Sequence, residues 1–165
     1  MLWHYRITKY DPSCRNEIGA FLGDEWTSIS DVGRIFSGVK LLESEYLTVE
    51  TAYLLAIEAL LRQAKIEALV LRAFENHSDD DLPEHFRSGA SLTIDQCINF
   101  AQLALREKIW GKLSLPGRAY VHFGYDYNMY VGVSSRCAAA VSQIQKRKLF
   151  VEHLRSPYLR GWVAK

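Results

Sequence analysis

The sequence predicts an α+β fold: a mainly antiparallel sheet of five to six strands with three to four helices packed on it. Three observations carry that expectation. Runs rich in aromatic and β-branched residues alternate with period two. Apolar stripes at three- and four-residue steps lie between them and mark helices. In the C-terminal half, consecutive strand-like runs are joined by short turns, which antiparallel pairing permits and parallel pairing does not.

The elements follow in order. Residues 2–10 place Trp3, Tyr5 and Ile7 on one face and His4, Arg6 and Thr8 on the other, a strand ended by Asp11-Pro12. Residues 11–26 form a loop. Ser28 and Asp31 have capping-box spacing, and Gly33 and Gly38 keep any helix there short. Tyr46, Val49, Tyr53, Ile57, Leu60 and Ala64 form the stripe of a helix over 43–64, capped near Ser44. A second strand covers 67–74, and 76–90 is a polar loop. Thr93 with Gln96 opens a helix whose stripe includes Ile94, Cys97, Ala101, Leu105 and Ile109 and which stops near Trp110-Gly111. Three strands follow at 112–115, 118–123 and 129–133. Pro116-Gly117 turns between the first two, and residues 124–128 join the second to the third. Ser134 or Ser135 caps a last helix with Cys137, Ala140, Val141 and Ile144 inward, and 149–154 forms a final strand.

Composition bounds the class. The 165 residues are 48% hydrophobic and 24% charged, which excludes a disordered tail, a collagen-like fibre and a coiled coil. One domain over 1–165 accommodates them, since a chain of this size buries about 70% of its unfolded surface. The longest apolar stretch, 52–61, is short and holds Glu58, far from the ~20 residues of a membrane span. The N-terminus lacks a signal-peptide core, and the three cysteines match no disulfide framework or zinc spacing. The expectation is a cytoplasmic protein.

Net charge is +1, but its distribution is uneven. Residues 43–90 carry four basic and ten acidic groups, net −6, and residues 91–165 carry eleven basic and four acidic groups, net +7. Such asymmetry steers charged partners, or it holds two parts of one fold together. No P-loop, dinucleotide fingerprint, H-E-x-x-H, C-x-x-C or nucleophile elbow is present, so no cofactor and no metal is expected. His77, Asp79, Asp81 and His85 are the densest group of ligand-type residues, and a solvated loop is the simpler reading of them.

Four groups of residues are candidates for function. Asp79, Asp80, Asp81 and Glu84 form an acidic loop suited to a basic protein surface. Tyr125, Asp126 and Tyr127 form a turn whose tyrosines either supply rigid contact area or fold back onto the helices. His122 beside Asp126 could be a general base in a small enzyme, or a polar cross-strand partner. A basic C-terminal third, with Lys146, Arg147, Lys148, Arg155, Arg160 and Lys165 and the aromatics Tyr158 and Trp162, could bind nucleic acid. The near-neutral pI of 7.7 and the lack of a nucleic-acid motif speak against that.

Three stretches carry a family resemblance: W-H-Y-R-I-T-K-Y-D-P at 3–12, D-E-W-T-S-I-S-D-V-G at 24–33 and V-H-F-G-Y-D-Y-N-M-Y-V-G at 121–132. Together they resemble small bacterial proteins associated with immunity in polymorphic toxin systems, including contact-dependent growth inhibition. The resemblance implies a cytoplasmic inhibitor, without catalytic apparatus, whose partner is a cognate toxin domain, possible targets including nucleases with basic clefts. Asp79, Asp80, Asp81, Glu84, Tyr125, Asp126 and Tyr127 are the expected contacts. The near-neutral total charge departs from the strongly acidic character common among nuclease inhibitors.

Overall fold

The computed structural model describes residues 1–159. Among these residues, nine strands and three α-helices follow one another in an α+β arrangement. Strands β1 (Trp3–Thr8), β2 (Ile35–Phe36) and β3 (Val39–Lys40) precede helix α1 (Glu43–Gln63). Then come β4 (Ala68–Asn76), β5 (Ser91–Thr93), α2 (Ile94–Leu105), β6 (Ile109–Leu115), β7 (Ala119–Phe123), β8 (Met129–Val133), α3 (Ala138–Lys146) and β9 (Phe150–Glu152). Seven strands form one antiparallel sheet in the order β5-β4-β6-β7-β8-β1-β9. The main sheet thus has seven strands where five to six were expected. The added strand, β5, is three residues long and borders the cap of α2, too short to show a period of its own. β2 and β3 form a separate small hairpin where a short helix was expected; the Ser28–Asp31 capping box closes only one 3-10 turn.

The helices cover one face of the sheet. Tyr5, Ile7, Leu69, Leu71, Leu113, Val121, Met129 and Val131 point into that layer and meet Tyr53, Ile57, Leu60, Phe100 and Ile144. This is the alternation the sequence carries. Helix ends departed most from expectation. α2 stops at Leu105, and Ile109, expected on its stripe, begins β6. Glu107 turns left-handed at φ 60° and donates to the Ala104 carbonyl, while Lys108 donates to Leu103. That is a Schellman closure made without glycine. Lys65 after α1 (φ 56°) repeats the device, and Lys148 after α3 (φ 63°) is likewise left-handed and donates to the Gln145 carbonyl. α1 begins at Glu43 with Leu42, not Ser44, at its cap, and the Glu45 carboxylate accepts the Leu42 N–H at 3.2 Å. Cys137, expected inside α3, is its left-handed cap residue.

The opposite face of the sheet is polar and aromatic. Residues 153–159 return along it. Ser156 is buried and its hydroxyl lies 2.8 Å from His122 Nδ1. Tyr158 stands edge-on to Trp110, His122 and Tyr130. Gly132 makes room for this layer. A Cβ there would lie 2.1 Å from the Tyr120 ring, which crosses β8 so that its hydroxyl meets His4 Nδ1 at 2.9 Å.

Candidate functional site

The tyrosine turn borders a cleft at the end of the sheet, and the acidic loop comes near it only through Asp80, which pairs with Lys108 between the lining residues Glu107 and Ile109. β6 begins there, β7 ends there, and β4 arrives with Glu75 and Asn76, which pair with Trp110 and Ile109. Ala73, at φ 50°, sits within the register shift between Arg72 and Glu75. The one extra residue of this bulge bends the end of β4 and re-aims its side chains. The cleft holds about 460 Å³. Trp110, Phe123, Tyr125 and Tyr158 supply aromatic wall, and Glu75, His77 and Glu107 supply its polar rim. Trp110 Nε1–H donates to the Phe123 carbonyl at 3.2 Å, which fixes the indole. His77 Nε2 lies 2.9 Å from a Glu75 carboxylate oxygen.

The turn that carries Tyr125 is rigid for a specific reason. Asp126 (φ 55°) and Tyr127 (φ 62°) both occupy the left-handed region, as a two-residue hairpin turn of primed type requires. Asn128 N–H donates to the Tyr125 carbonyl, and the Asn128 side-chain amide donates to the same oxygen. Tyr127 was expected as an exposed contact; it is instead buried. Its ring packs at 5.2 Å from Trp26, 5.9 Å from Tyr46 and 4.9 Å from Tyr53. The ring anchors the turn and leaves Tyr125 pointing outward, 86% exposed. The Tyr127 hydroxyl donates to Tyr46, whose hydroxyl donates to Glu50 at 2.8 Å. Glu50 is buried, and Arg106 holds both its oxygens at 2.7 and 2.8 Å while Gln102 donates at 3.0 Å. Burial opposes the charge of Glu50, but these donors outweigh it and hold the carboxyl below its usual range.

The remaining candidates separate. Asp79, Asp81 and Glu84 are exposed, while Asp80 is ion-paired to Lys108 beside the cleft rim. Asp126 faces a different recess, with Arg6, Arg15, Tyr10 and Asn128. There both arginines are committed to Glu152. His122 is not paired with Asp126. It is 1% exposed, stacked on Tyr120 and bonded to Ser156; burial and then the Lys112 charge push its pKa down to about 4. A base so placed is neutral and sealed beneath the returning chain. Among the described residues, no group of three or more His, Cys, Asp and Glu could hold a metal ion. Lys146, Arg147 and Lys148 flank a shallow groove against Leu47 and Leu55 of α1, and Arg155 is exposed on the other side of β9. Arg160, Trp162 and Lys165 lie outside the described residues. No described helix is long and apolar enough to cross a membrane.

Glu75, Glu107, Trp110 and Phe123 were not singled out by sequence. Trp110 was read as a helix end because Glu107 closes α2 without glycine. Glu75 is brought to the cleft by a bulge that no residue type announces. No family model matches the chain, and neither a curated protein nor a solved structure is detectably similar to it.

Proposed function

We propose that the chain is an immunity-type protein that binds and neutralises a cognate toxin domain presenting a basic surface in the cytoplasm. One observation carries the reading: an exposed tyrosine on a hydrogen-bonded turn stands beside a cleft lined by Glu75 and Glu107, and the acidic loop is tied next to it by the Asp80–Lys108 pair. Tyrosine offers a large contact area with little rotamer entropy to lose. The carboxylates speed encounter with a basic partner and disfavour acidic ones. Asp79, Asp81 and Glu84 contribute rim charge, Tyr125 the apolar contact, and Tyr127 acts from within by holding the turn. Asp126 makes a contact only where the partner extends to the neighbouring recess. The three family-like stretches support the same reading: residues 24–33 supply Trp26 and residues 121–132 the anchored turn.

The test is capture from the native cell followed by reconstitution. The captured protein, expressed alone, arrests growth, and co-expression of this chain relieves the arrest. Asp79→Lys with Asp81→Lys leaves the Asp80–Lys108 pair in place. It slows association about tenfold and flattens the salt dependence. Capture of a protein that is harmless when expressed alone, or charge-reversed binding with unchanged rate and salt dependence, overturns the proposal.

A further inference from the structure

We infer that the cleft between Trp110, Tyr125 and Tyr158 is a receptor for a single arginine side chain, the anchor by which the partner is held. The inference rests on the binding reading above and specifies the chemistry of its contact.

Three features of the cleft select a guanidinium. The first is aromatic surface meeting at an angle. The Trp110 and Tyr158 rings stand edge to face with centroids 6.1 Å apart, and Phe123 and Tyr125 line the same space. A planar, weakly hydrated cation stacks on such rings better than a compact ammonium does. The second is the state of the neighbouring charges. Arg106 is held by Glu50 and Lys108 by Asp80, and Lys112 donates to the Tyr158 carbonyl. Arg106 and Lys108 are thus each paired with a carboxylate, and Lys112 is held by a backbone carbonyl. Glu107, in contrast, has no ion-pair partner among the described residues; its recorded contact is a Ser28 hydroxyl at 3.5 Å. Glu75 has the His77 ring on one oxygen, which leaves its other oxygen free for a donor. Glu75 and Glu107 thus both line an aromatic space, and neither is paired with a lysine or arginine among the described residues. The third is size. A space of about 460 Å³ exceeds one side chain, so a guanidinium enters with its aliphatic stem and some of the adjoining backbone. Arginine presents five N–H donors in a planar fork, which suits a space lined by two carboxylates better than the point charge of a lysine.

The backbone supports this placement. Glu107 is held left-handed by the Schellman closure of α2, and Glu75 is set by the β4 bulge. Both residues thus have their backbone held by hydrogen-bonded structure. A partner arginine seated here, with Tyr125 covering it from the rim, is desolvated at the centre of a contact whose edge is the acidic loop. That is the arrangement in which arginine anchors dominate binding.

The experiment uses the intact chain with N-acetyl-arginine amide as probe and N-acetyl-citrulline amide as the isosteric neutral control. Binding is read from the indole N–H signal of Trp110, assigned by Trp110→Phe. The arginine probe shifts that signal saturably in the millimolar range, and the citrulline probe binds at least about tenfold more weakly. Glu107→Gln weakens the arginine probe about fivefold and leaves the unfolding midpoint unchanged, because the side chain is exposed. Glu75→Gln acts in the same direction. Equal binding of both probes, or arginine binding unaffected by Glu107→Gln, overturns the inference. The captured partner separates this outcome from failure of the functional reading. A toxin neutralised normally by Glu107→Gln and Glu75→Gln chains refutes the arginine anchor alone. Probe binding without any toxin partner refutes the immunity reading alone.

Discussion

Replacing Tyr127 separates two effects that the β7–β8 turn combines. The residue is held at φ 62°, a conformation costing a non-glycine residue about 1–2 kcal/mol, and it buries a ring among Trp26, Tyr46 and Tyr53. Tyr127→Ala and Tyr127→Gly both lose the ring, at about 3–5 kcal/mol, so that loss cancels when the two are compared. Unfolded-chain entropy favours Ala over Gly by about 0.4–1 kcal/mol at any site. The left-handed backbone favours Gly by about 1–2 kcal/mol at this site only. Gly at 127 therefore comes out level with Ala or up to about 1.5 kcal/mol more stable. Tyr53, buried in the middle of α1 against the same ring, is the internal control. There Gly falls below Ala by about 1 kcal/mol, the helix-interior penalty. Urea unfolding of the four variants, with equal m-values as the check on two-state behaviour, gives both differences. The same Ala-to-Gly step at 127 and at 53 would refute the claim that a strained turn is held by a buried ring. The consequence for function is direct: Tyr127→Gly keeps the turn's backbone but releases its anchor, and Tyr125 loses its fixed position at the cleft.

Four other outcomes follow from buried polar groups and close contacts. Arg106→Met strands the Glu50 charge and destabilises by about 3–5 kcal/mol in urea, whereas adding Glu50→Met recovers much of that loss. The folded carboxyl of Glu50 titrates below its unfolded value, so its contribution is present above about pH 4.5 and is lost as pH falls through the folded value. Acid titrations of the wild type and Glu50→Gln differ on that limb. His122 behaves in the same sense for a different reason. Its folded pKa of about 4 lies below the unfolded 6.5, so the unfolded chain binds the proton first. Stability is fully present above about pH 6.5 and declines toward pH 4 by on the order of 2–3 kcal/mol, a decline that His122→Gln removes; an NMR titration placing His122 near 6.5 would contradict this. Gly132→Ala drives a Cβ into the Tyr120 ring and costs about 1–3 kcal/mol, with faster amide exchange at Ser156, whose N–H donates to the Tyr120 hydroxyl.

The α+β class, the three helices and most strands of the large sheet were legible in the sequence, because each buries one face and so repeats at its own period. β8 matches its expected bounds of 129–133, and α1 and β7 fall within a residue. The acidic loop was legible as exposed, since three adjacent aspartates beside a proline have little to gain from burial. The helix ends were less legible. Lys65, Glu107 and Lys148 adopt a conformation that only glycine or asparagine would have signalled. That cost the reading the start of β6 and, with it, Trp110 as a wall of the cleft. Tyr125 and Tyr127 share a residue type and lie two apart, yet one faces solvent and the other the core. Local alternation cannot assign such a pair when both residues between Tyr125 and Asn128 turn left-handed. Tertiary packing against Trp26 and Tyr46 decided which ring is inside. It also decided that Glu75, Glu107 and Tyr125, far apart along the chain, meet around one space: convergence is a property of strand order and bulge position, and periodicity carries neither.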